Sequence, residues 1–128
     1  MAGHTAANAV PPVDGTDLGD TLEDLADIHP GIDLIRDGLR LLALDRHDIN
    51  TTQVLLAALA GSPDSTDVLA AIGQLIARLT NPDTNPALRA LPTDAQKNAT
   101  HQGYLTNFTL TDPDLRNSAA NANAHLDH

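Results

Sequence analysis

The sequence predicts an all-α protein: a small helical bundle of about four core helices, followed by a looser, polar helical segment. Three observations carry that prediction. Aromatic residues make up 2% of the chain, so a core must be built from Leu, Ile, Val and Ala. Ala and Leu favour helix, and the β-branched or aromatic runs that favour strands are missing. Apolar residues also recur at helical spacing in segment after segment.

The stretch 32–44 is the centre of this pattern. Placed on a helix at about 100° per residue, Asp33, Arg36, Asp37 and Arg40 share one arc. Ile32, Leu34, Ile35, Leu39, Leu41 and Leu42 cover most of the remaining circumference. A helix with so narrow a polar strip is normally surrounded by others, so this one is expected at the centre of the bundle. Asp33 and Asp37 alternate with Arg36 and Arg40 at a spacing that suits local pairing.

The other elements follow in order. Residues 1–15 are rich in Ala, Pro and Gly, lack periodicity and read as a flexible N-terminal arm. Thr16 or Asp17 suits the cap of a first helix, in which Leu18, Leu22, Leu25 and Ile28 form one stripe. His29-Pro30-Gly31 ends it, and Pro30 opens the central helix. Asn50 or Thr51 is expected to cap a third helix through Val54, Leu55, Leu56 and Leu59, apolar nearly all round and therefore buried. Gly61 stops it. Asp64 or Ser65 is expected to cap a fourth helix, residues 66–79, with Val68, Leu69, Ile72, Leu75, Ile76 and Leu79 on one face.

Residues 80–86 hold two prolines and two asparagines, a strong break. Thr93-Asp94-Ala95-Gln96 has a capping-box pattern. Asp112-Pro113 suits the start of a last helix on which Leu115, Ala119, Ala122 and Leu126 align. This region is thin in apolar residues, so partial packing through residues 104–108 and fraying beyond Asn117 are expected. The domain reading is an arm (1–15), a helical core (16–92) and a polar C-terminal extension (93–128).

Composition narrows the function. Seven basic residues stand against seventeen acids, a formal charge of −10. Such a chain is repelled by nucleic acid and anionic lipid, so neither is expected as a partner. The charge suits solubility in a high-salt or GC-rich organism, or docking on a basic protein. No stretch reaches the ~20 apolar residues of a membrane span. The N-terminus lacks the basic and apolar regions of a signal peptide, and a cytoplasmic location is the default expectation. With no Cys there is no disulfide framework, thiolate metal site or Cys nucleophile.

No pair among His4, His29, His47, His101, His125 and His128 has the i, i+4 spacing of a helical zinc grip. The acidic turn at Asp45–Asn50 lacks the Gly and Glu of a calcium loop, and Asp14–Asp17 fails the same test of ligand pattern. Ser62, Ser65 and Ser118 sit in no nucleophile elbow, and no glycine-rich phosphate loop is present. No catalytic residue, metal ligand or cofactor is therefore assigned.

Asp64-Ser65, opening an amphipathic helix in a small acidic chain, resembles the Asp-Ser-Leu motif of acyl and peptidyl carrier proteins, where the serine bears phosphopantetheine. The resemblance covers only that motif and the helix after it. It implies Ser65 as a modification site, but Thr66 replaces the Leu. The sequence alone reads Ser65 as a helix cap.

A non-enzymatic interaction or assembly module is the function expected, self-associating or docking on a protein partner. Its motive is surplus apolar surface on the second and third helices. Leu34, Leu41, Leu44, Leu55 and Leu59 are the candidate surface. The alternatives are a carrier of a small apolar ligand or acyl group between the second, third and fourth helices, and an acidic inhibitor or regulator of a basic partner.

Overall fold

A computed structural model of the chain describes residues 9–127. Among them every regular element is helical: α1 (Asp17–Asp24), α2 (Pro30–Leu44), α3 (Ile49–Leu56), α4 (Val68–Leu79), α5 (Thr93–Thr111) and α6 (Pro113–Ala124). A π turn (Ala57–Gly61) continues α3, and a 3-10 turn (Pro86–Ala90) precedes α5. The protein is all-α, as its composition and periodicity predict. The chain packs as two units, Met1–His47 and Asp48–His128.

In the first unit, Thr16 caps α1 by accepting the Gly19 N–H at 3.1 Å, while its hydroxyl donates to the Val13 carbonyl. The turn folds so tightly onto α1 that a Cβ on Gly19 would lie 2.2 Å from the Val13 oxygen. Val13 is buried, so the fold begins inside the stretch expected to be a flexible arm. Residues 1–8 of that stretch lie outside the described residues. Leu22 is the fully buried side chain of the α1 stripe.

Asp27, at φ 63°, turns the chain after α1, and its N–H donates to Asp33 Oδ1 at 3.3 Å. The His29 ring caps α2 by accepting the Gly31 N–H at Nδ1, 2.8 Å away. Arg36 reaches back to donate to the Leu22 carbonyl, and it pairs with Asp33 at 3.6 Å. That pair is the local one the spacing predicts.

One expectation is overturned here. Within the first unit residues 32–44 are not enclosed by other helices, and α2 contains no buried residue. Within its unit its neighbour is the eight-residue α1, too short to cover more than one side of a helix about 22 Å long.

The second unit is built around α4 and α5. They run antiparallel, with Gly73 against Asn107 and Leu110, and Thr80 against Gly103. A Cβ on Gly103 would stand 1.7 Å from Thr80 Oγ1, and one on Gly73 would stand 3.0 Å from Leu110 Cβ. Close approach of the backbones therefore replaces interdigitated large side chains. Ala70 and Gly73 form the buried positions of α4, while Val68, Leu75 and Leu79 remain exposed. The stripe expected to face the core is thus only partly covered: Leu69, Ile72 and Ile76 are half-buried, and the tightest approach is on the side of Ala70 and Gly73.

The C-terminal region corrects the sequence reading in two ways. Tyr104, Leu105 and Phe108 do not pack α5; all three are exposed, and the contact runs through Gly103, Asn107 and Leu110. Nor does the last helix fray at Asn117. It continues to Ala124, and Asn123 Nδ2 donates to the Gln53 carbonyl at 2.9 Å. Gln53 Nε2 in turn donates to Asp127 Oδ1 at 2.6 Å. Ala119 lies 3.7 Å from the position of a Cβ on Gly61, so α6 seats on the π turn through small residues.

The caps differ from those expected. Asp48 caps α3, accepting from the Thr51 N–H at 2.7 Å. Asp67 caps α4, accepting from the Ala70 N–H at 2.9 Å. Pro92 precedes α5 without a side-chain cap, and Gln96 turns instead to the Leu91 carbonyl at 2.8 Å. The third helix is also not buried: α3 has no buried residue, and Val54 is exposed.

Candidate interaction surface

On α2, successive residues step about 100° around the axis. Leu34, Gly38 and Leu41 therefore share one face, with Ile35 beside them. Leu34 is 73% exposed and Leu41 is 60% exposed. Ile35 and Leu44 are exposed as well. Nothing lies within 4 Å of the position of a Cβ on Gly38, so this face has a shallow centre with leucines on both sides. Leu34 and Leu41 are about 10 Å apart along the axis.

Leu34, Leu41 and Leu44 therefore come together on one exposed helix. Leu55 and Leu59 belong to the second unit, where both are half-buried. Gly38 was not singled out for this face by the sequence; its place between Leu34 and Leu41 is the signal that locates it.

The electrostatic setting is acidic. The first 47 residues hold nine acids and three arginines. Arg36, one of the three, is already tied to Leu22 and Asp33. Asp37 borders the apolar face on α2 and is exposed.

The second unit contains a buried ion pair. Arg116, 2% exposed, donates from Nε to Asp67 Oδ2 at 2.7 Å and from Nη2 to Asp67 Oδ1 at 2.5 Å. Its Nη1 donates to the Leu110 carbonyl at 2.8 Å and the Asp112 carbonyl at 3.2 Å. Asp67 also accepts the N–H groups of Ala70 and Ser62. Its carboxyl is held below the usual carboxylate range, chiefly by the Arg116 hydrogen bond; the two backbone N–H groups act in the same direction and burial acts against them. Four of the five Arg116 N–H donors are used and the carboxylate accepts four bonds, so the pair joins α4, α5 and α6 as a structural tie. The sequence reading missed both residues: an arginine among polar neighbours on a weak helix gives no periodic signal.

Ser65 is neither a helix cap nor at a helix start. Its backbone is left-handed at φ 55°, and its Oγ donates to the Thr111 carbonyl at 2.9 Å. The serine fastens the turn before α4 to the end of α5. Among the described residues no group of three or more His, Asp or Glu is placed to hold a metal ion, and no helix is long and apolar enough to cross a membrane.

Comparison of the chain with known families, with curated proteins and with solved structures finds no match in any of the three.

Proposed function

We propose that the protein is a non-enzymatic interaction module whose contact surface is the apolar face of α2, formed by Leu34, Ile35, Gly38 and Leu41. The exposure of Leu34 and Leu41 in the middle of a well-formed helix supports this reading. Apolar surface contributes about 25 cal/mol per Å² when removed from water, so such a face is stabilised by a partner surface. The acidic surroundings favour a protein partner that offers an apolar patch with a basic rim, and they oppose a second copy at long range. A cytoplasmic setting fits such a role.

Native mass spectrometry of the protein isolated from its own cells, with Leu34→Gln/Leu41→Gln alongside, tests the reading. A defined complex with one other protein, weakened by salt and lost in the double variant, is the expected result. A complex that survives the double substitution places the contact elsewhere and overturns it.

A further inference from the structure

The groove beside the N-terminal half of α5 has a different character from the α2 face. Its cavity volume is about 560 Å³, and Pro82, Thr93, Gln96, Lys97, Thr100, His101 and Tyr104 line it. The groove is open to solvent, and its mainly apolar surface comes from Pro82, the Tyr104 ring and the carbon atoms of polar side chains, so polar groups and apolar surface stand side by side in it. Lys97, His101 and Tyr104 follow one another at i, i+4 and i+7, on one face of the helix.

The polar residues of the lining divide into two sets. Thr100 donates to the Gln96 carbonyl at 2.8 Å, and Gln96 donates to the Leu91 carbonyl at 2.8 Å. Those groups are committed to the fold. The Lys97 ammonium, the His101 ring and the Tyr104 hydroxyl belong to exposed residues and have no protein partner among the described residues, so they are open to a ligand from solvent. They bring three hydrogen-bonding groups, one of them a fixed positive charge, to an otherwise apolar groove. Lys97 is the only lysine in a chain of net charge −10. Arg89, which is not part of the lining, holds the Pro82 carbonyl at 2.9 Å. Asp83 and Asp94 are the nearby acids in sequence, and both are exposed.

We infer that this groove binds a small carboxylate with an apolar tail, the carboxylate meeting Lys97, His101 and Tyr104 and the tail lying along Pro82. An ammonium and a phenol offer charge-assisted hydrogen bonds to such an anion. This inference is independent of the α2 surface, because every lining residue lies between positions 82 and 104.

The protein supplies its own reporter. Tyr104 is the only tyrosine and there is no tryptophan, so intrinsic fluorescence reads this groove alone. The full chain is titrated with octanoate and, separately, with octanol. The expected result is a saturable change with octanoate, at least tenfold weaker with octanol and at least tenfold weaker for octanoate in Lys97→Gln. Lys97 is exposed, so that variant keeps the fold, and its circular dichroism is recorded beside the wild type. Absence of a saturable change overturns the inference. So does equal binding of octanoate and octanol, or octanoate binding unaltered in Lys97→Gln, since either shows an apolar surface that does not read the charge.

Discussion

Arg116 meets Asp67 through two parallel hydrogen bonds of 2.7 and 2.5 Å, across 49 positions of sequence and in a buried setting. The same aspartate caps α4, so one carboxylate ends a helix, fixes the preceding turn at Ser62 and anchors α6. Removing one partner strands the other charge out of water, whereas a matched apolar pair would not. Arg116→Met is therefore expected to lower the stability of the second unit by about 3–5 kcal/mol, read by urea unfolding of the full chain. Arg89→Met, at an exposed position, should change it little.

The same pair sets a pH dependence. Asp67 binds its proton less readily in the folded than in the unfolded chain. The unfolded state then holds more protons through this window, and stability rises with pH. The contribution is complete above the unfolded carboxyl value of about 3.9 and is lost as pH falls through the lower folded value. Acid unfolding followed by circular dichroism should show a weaker dependence below about pH 4 in Asp67→Asn than in the wild type.

Gly103 gives a steric test of how α4 and α5 meet. A Cβ there collides with Thr80, whose hydroxyl is already bonded to the Ile76 carbonyl at 2.8 Å. Gly103→Ala should destabilise the chain by about 1–3 kcal/mol in thermal or urea unfolding. Adding Thr80→Ala should restore part of the loss, because the clashing hydroxyl is removed.

Gly38 should behave in the opposite way. Its helix is regular and nothing surrounds a Cβ at this position. Gly38→Ala is expected to stabilise the isolated chain by about 0.5–1 kcal/mol. On the proposed contact face the added methyl fills the shallow centre, so the same variant should bind the partner more weakly. Unfolding and binding measured together separate the two effects.

The sequence carried the helices better than their partners. Thr16, Pro30 and Asp112-Pro113 marked helix starts where the structure has them, because capping and proline chemistry are local. The α4 cap is not legible from sequence because residues 64–67 supply several candidate caps, and the contacts that single out Asp67 include one to Arg116, distant in sequence. Packing was less legible. An apolar stripe predicts an inward face, but α4 uses Ala70 and Gly73, and α5 uses Gly103 and Asn107, to bring backbones close. Small-residue contacts leave no hydrophobic period. Leu34 and Leu41 were legible as surplus apolar surface, whereas the groove at Lys97 depends on the connection through Pro82, which no helical pattern describes.

Hydrogen exchange at the amides of residues 34–41, measured on the free chain and on its complex from native cells, tests the proposed contact face most directly. Slower exchange along this part of α2 is expected in the complex, with no such protection for the Leu34→Gln/Leu41→Gln variant. A stable complex in which these amides exchange as fast as in the free chain would contradict the proposed contact face.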